Sequence, residues 1–156
     1  MRSHELTVGR TFGLSFDHGE DLFAALTAFC REHDVRQGYI PFFLAGFSAL
    51  RVVGTCEQVT DPVAPVRSAV YLTNVEAHGG GTIAYDPERD TILPHIHVSV
   101  GLKERSAVGY TSHLLEATVQ LLTEMIVVEV VAPDLRRRPD PTRYDVPILG
   151  FEAPSR

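Results

Sequence analysis

Only one stretch of this 156-residue chain repeats its apolar residues at helical spacing. Leu22, Phe23, Leu26, Phe29 and Cys30 make a single stripe, with Glu20 and Asp21 in the first turn and Asp34 near the exit. Asp17 stands where an N-cap residue belongs. Most of what remains is short apolar runs broken by glycine, proline or charged clusters. A chain with one amphipathic helix and many such runs must bury the helix against a sheet. The expected fold class is therefore α+β, a mostly antiparallel or mixed sheet with one main helix packed on it.

Leu6–Val8 and Phe12–Phe16 predict a first strand, and Tyr39–Leu50 a long second one, in which Pro41 marks an edge, a strand start or a bulge. Arg51–Cys56 could extend it, and Asp61-Pro62 with Ala64-Pro65 makes 57–67 a loop. Val70–Val75, Thr82–Tyr85 and Ile92–Leu102 read as strands; Asp86–Asp90 and Lys103–Ser106 read as turns. Gly79-Gly80-Gly81 is read as a turn, because it lacks the Gly-Lys-Ser/Thr ending and the strand–loop–helix setting of a phosphate loop. Leu114–Glu124 fits a helix or a strand, whereas Met125–Val131 is rich in β-branched residues and predicts a strand. Residues 5–132 form the expected domain. Residues 133–156, with five prolines and Arg136-Arg137-Arg138, form a tail wrapping its surface.

Fourteen Lys and Arg against twenty Asp and Glu leave a net charge of −6, which disfavours a protein that lives on phosphate attraction. Two cysteines, Cys30 and Cys56, are too few for a disulfide scaffold and read as small buried apolar residues. No apolar run reaches the ~18 residues of a membrane-spanning helix, and the first residues lack a secretory pattern, so a cytoplasmic location and no membrane partner are expected.

The sharpest chemical feature is Leu93-Pro94-His95-Ile96-His97-Val98. Alternation along a strand sends His95 and His97 to one side, with Cβ atoms roughly 6.5–7 Å apart, close enough to converge on one ion. The pattern fits a metal pair, a hydrogen-bonding pair on a sheet face, or chance among seven histidines. His113, beyond a loop that lets the chain return, is a third candidate. Three imidazoles would leave a fourth position open, as in catalytic rather than structural zinc sites. His18 and His33 read as solvated or capping residues. His78 reads the same way, although beside the glycine run it could face a pocket.

Several segments together resemble the plants-and-prokaryotes-conserved (PPC) domain, also found beside AT-hooks in plant nuclear proteins. They are Gly19-Glu20-Asp21-Leu22, Leu44–Leu50, Pro94–Val98, His113-Leu114 and Thr123-Glu124, in that order over residues 8–131. The resemblance implies a homotrimer in which His95, His97 and His113 hold a divalent metal, most often zinc. Thr111-Ser112 replaces the two glycines the family usually has before the third histidine, and would either narrow the site or offer hydroxyls to a ligand. The resemblance also makes Glu124 a candidate to orient an imidazole or carry a proton, with Glu76 and Glu116 as weaker ones. Tyr110 is a second candidate catalytic residue, and Thr111, Ser112, Glu76 and His78 are candidate substrate contacts.

The expected protein is a stand-alone bacterial-type member that binds a divalent metal and a small molecule at the open position. Whether it is an enzyme is left open; metal-assisted lyase or hydrolase chemistry on a small carbonyl or carboxylate compound is the class such a site would serve. The alternative is a trimeric interaction or regulatory module whose histidines hold only a structural ion. DNA binding is disfavoured, since Arg136-Arg137-Arg138-Pro139 has arginine where an AT-hook needs glycine.

Overall fold

The computed structural model describes residues 3–54, 69–102, 105 and 108–153. It contains strands β1 (Thr7–Asp17), β2 (Gly38–Val53), β3 (Ala69–Asp86), β4 (Thr91–Leu102), β5 (Gly109–Ala132), β6 (Asp134–Asp140) and β7 (Val146–Glu152), with one helix, α1 (Leu22–Glu32), and a 3-10 turn, Pro141–Arg143. β2 lies between β3 and β5, β3 pairs with β4, and β4 returns to the start of β5. All these pairings are antiparallel, so β2, β3, β4 and β5 close into a four-stranded barrel. β1 joins the far half of β5, from Thr7 opposite Ala132 to Asp17 opposite Leu122.

This overturns the α+β expectation. The fold is mostly β, with seven strands against one 11-residue helix among the described residues. The one expected helix forms, but the sheet closes on itself, and Leu114–Glu124, which fits a helix or a strand by pattern, joins β5 with β2 along one side. Its free edge between β4 and β1 is met by the turn after β1. Gly19 N–H donates to Val119 O and Val119 N–H to Glu20 O, both at 2.9 Å. Backbone donors that a helix would satisfy internally are satisfied here across strands.

The helix forms where its stripe predicts, with a different cap. Asp21 accepts from Ala24 N–H at 2.8 Å, while Asp17 ends β1 and its own N–H donates to Glu20 Oε2. Leu22, Leu26 and Cys30 are buried, and Phe23 and Phe29 pack against the same core as Phe43, Phe47, Ile96 and Val127. Burial pushes the Cys30 thiol up to about 11, which keeps it an inert packing group. Cys56 and the 57–67 loop lie outside the described residues, as do Lys103, Glu104 and Ser106.

Pro41 sits in a central strand. It is tolerated because the register of β2 slips between Ile40 and Phe43 against β3, and between Tyr39 and Phe43 against β5; this is the bulge of the three options. Gly79-Gly80-Gly81 is not a turn but the middle of β3. The glycines are there for space: a Cβ on Gly81 would overlap the His95 carbonyl, one on Gly79 the His97 carbonyl, and one on Gly80 would stand 2.8 Å from Ile40 O.

The three arginines of the tail lie in a strand: β6 and β7 form a two-stranded ribbon. Gln37, itself buried, ties the ribbon to the barrel. Its Nε2 donates to Val130 O (3.1 Å) and Pro133 O (2.9 Å), and its Oε1 accepts from Leu135 N–H (2.7 Å). Leu135 then packs with Ala84 and Val130. Because the atoms facing Gly81 are backbone, Gly81→Ala should cost about 2 kcal/mol or more in urea denaturation. A cost within 0.5 kcal/mol of zero would show that β3 has room to move.

Candidate metal centre

Alternation along β4 sends Ile96 and Val98 into the core at 0% and 1% exposure, so His95 and His97 face outward on one side. The β4–β5 ladder brings in the third ring: His113 lies directly opposite His97. Its direction depends on a slip in β5. Val52 pairs with Leu114 but Arg51 pairs with Glu116, so one residue is extra. Leu114 and Ala117 can then both point inward, and His113 is left facing out beside His97.

The ring centroids of His95 and His97 are 5.1 Å apart and nearly parallel, and His113 stands 4.6 Å from His95 and 5.5 Å from His97. One nitrogen from each ring lies within 4.8 Å of the others, and this trio could hold a metal ion. Two nitrogens bonded at ~2.0–2.1 Å to one tetrahedral ion stand about 3.4 Å apart, so the rings need close by at most about 1.4 Å. The donor set suits zinc and other imidazole-binding ions. Metal ligation requires an unprotonated imidazole. His95 meets this condition: its pKa is lowered to about 4, first by burial, then by the charge of Arg137 and by the two neighbouring histidines.

The trio opens into a cavity of about 660 Å³. Its barrel side is formed by the histidines with Leu93, Pro94 and Ser112, and its other side by the ribbon through Arg137, Tyr144, Pro147 and Ile148. Arg137 crosses the gap, its Nη2 donating to Thr82 Oγ1 at 2.6 Å, and Thr82 is the β3 residue opposite His95.

Of the expected substrate contacts, only Ser112 lines this cavity. Thr111, two residues before His113, hydrogen-bonds Ser99 at 2.9 Å and lines a neighbouring, more open cavity of about 580 Å³ with Tyr110, Glu76 and His78. Glu124 lies further off, exposed between Ser15 and Leu44 on the outer face of the barrel. Glu116 forms an ion pair with Arg51 at 3.2 Å. His18 accepts from Leu121 N–H, and His33 packs on Phe29 and Phe12. A larger hollow of about 1140 Å³, reached by Gly46, Thr73 and Gln120, holds no comparable ligand cluster among the described residues. Sequence reasoning missed Arg137 and Thr82. The usable signal was alternation: in a strand, the middle of three arginines leaves on the side opposite its neighbours.

Residues 3–131 match the model of the Plants and Prokaryotes Conserved (PCC) domain. Among solved structures, a plant- and prokaryote-conserved protein of Pyrococcus horikoshii superposes with a TM-score of 0.76 at 19% identity, over 95% of this chain and 97% of its own. A protein of Bacteroides thetaiotaomicron provisionally described as DNA-binding gives 0.74 at 20%, over 94% and 97%. A metal-containing protein of Archaeoglobus fulgidus gives 0.73 at 20%, over 96% and 99%. These likenesses show a shared fold. No curated protein is similar enough in sequence to match. With the family pattern spanning most of its length, the chain belongs to the Plants and Prokaryotes Conserved domain family.

Proposed function

We propose that the chain acts on its own as a homotrimer in the cytoplasm, and that His95, His97 and His113 hold one divalent metal ion, zinc, with a position left for a small molecule. The observation that carries this reading is the convergence of three outward imidazoles, one from each of three sites on two strands, at the mouth of a cavity. The Archaeoglobus fulgidus relative is described as metal-containing, which agrees with it. Bound there, the ion would polarise a carbonyl or carboxylate and lower the pKa of a water. The residues of this chain would fix the three ring directions, keep His95 unprotonated, and enclose the ligand between barrel and ribbon.

Trimer formation gives the remaining candidate residues a role. Tyr110, Thr111, Glu76 and His78 lie on an outer face with exposed Phe42, Leu44 and Val108, and Glu124 shares that face. A second copy would have to carry this face to the histidine cavity for Glu124 or Tyr110 to move a proton there. The same apolar face supports the other reading, an interaction or regulatory module with a structural ion. DNA is disfavoured because Arg136 and Arg138 are neutralised by Asp134 and Glu152. No described helix is long and apolar enough to cross a membrane.

Purified protein should contain close to one zinc per chain, sediment as a trimer, and lose the metal when His97 is replaced by alanine. Retention of metal by that variant would overturn the site; loss of both metal and fold would favour the structural-ion module. In the metal-free protein, the folded state binds a proton on His95 less readily than the unfolded chain does, so stability is full above pH 6.5 and falls as pH drops toward about 4. The loss should reach up to about 3 kcal/mol in urea titrations, and His95→Gln should flatten it. An equal slope in that variant would place the pH dependence elsewhere.

A further inference from the structure

The three consecutive arginines of β6 find different partners. Arg136 pairs with Asp134 at 2.5 Å and donates to Tyr85 O, and Arg138 forks onto both oxygens of Glu152 at 2.9 and 3.2 Å. Arg137 has no carboxylate partner among the described residues. It is half-buried in the wall of the histidine cavity. Of its five N–H donors, one goes to Thr82 Oγ1 and one, at 3.5 Å, to Pro147 O, while Nε is buried with no acceptor. A guanidinium cannot lose its charge, and burying one without a counter-ion is costly. Desolvation alone acts on it here, and lowers its pKa.

The other cations of the cavity are already matched: Arg89 lies 3.8 Å from Asp86 and Arg143 3.7 Å from Asp140. One cation is therefore left over, beside three imidazoles, in a space partly lined by Leu93, Pro94, Val146 and Ile148. A planar guanidinium matches two coplanar oxygens, and apolar lining suits carbon rather than a fully hydrated inorganic ion.

We propose that Arg137 is the counter-ion of the ligand, and that the cavity takes a small organic carboxylate, held by Arg137 on one side and by the histidine-bound ion on the other. The second contact rests on the metal reading above; the first does not. The ribbon is then part of the binding site, supplying its anion-reading side chain from outside the stretch that carries the family pattern.

The test is calorimetric titration with oxalate, pyruvate, inorganic phosphate and neutral oxamide, on protein with measured zinc content and on protein stripped of metal. Oxalate and pyruvate should bind, and Arg137→Met should weaken them about tenfold or more in both forms, with zinc content and melting temperature unchanged. Arg137→Lys should recover only part of the loss, because an ammonium lacks the fork. Thr82→Val, which frees the guanidinium from its dock, should weaken carboxylates less and serves as the second variant if Arg137→Met does not fold. Carboxylate affinity unaltered in these variants, or phosphate or oxamide bound more tightly than the carboxylates, would overturn the proposal. A parent protein that takes up no zinc would sink the metal reading alone, and the metal-free titrations would still decide the role of Arg137.

Discussion

The barrel depends on a five-rung ladder, from Gly101 opposite Gly109 to His97 opposite His113. Without it, β4 and β5 would be open edges and the layer of Ile96, Val98 and Leu114 would face water. Unpaired edges are a liability that closure removes. The last rung of this ladder carries two of the three histidines that could hold a metal ion. The hydrogen bonding that seals the core therefore also sets the distance between two of the three candidate ligands. Only His95 needs a further device, and it is simple strand alternation. A site built this way draws its precision from backbone pairing rather than from loop packing, which suits a centre that must hold three rings within a few ångströms.

Electrostatics at this centre joins two groups that ordinarily repel. A histidine and an arginine face each other across the cavity, and burial first, then the charge the arginine keeps, holds the histidine unprotonated. A nearby carboxylate would have reversed the balance and favoured imidazolium, a form that cannot ligate. Arg136 and Arg138 are paired with Asp134 and Glu152, and the acid that lines the cavity, Asp86, is engaged by Arg89, so Arg137 is the cavity's cation without a carboxylate partner among the described residues.

Much of this was readable from the residues. The stripe Leu22–Cys30 is a clean 3.6-residue period, and the His95/His97 face follows from a period of two. His113 needed the family resemblance, because no local pattern tells which distant strand will pair with β4. The failures share one physical origin. Gly79-Gly80-Gly81 imitates a turn because glycine favours turns in isolation, whereas here it is required by carbonyls of neighbouring strands. Leu114–Glu124 stays open between helix and strand in the sequence because a bulge shifts the phase of its buried positions and Leu121 adopts a positive φ of 67°, so strict alternation breaks. The distance between the His cavity and Tyr110, Glu76 or Glu124 is likewise set by strand order.

The attachment of the ribbon has a consequence for how such proteins diversify. It is held to the barrel by the Gln37 amide, by the Arg136 and Arg137 hydrogen bonds to Tyr85 and Thr82, and by a small apolar cluster around Leu135, not by a strand ladder. The half of the cavity that reads the ligand thus comes from a different sheet than the half that holds the ion. Substitutions in the hairpin could retune which acid is accepted while the ion-holding frame stays intact, much as one tool handle accepts different bits.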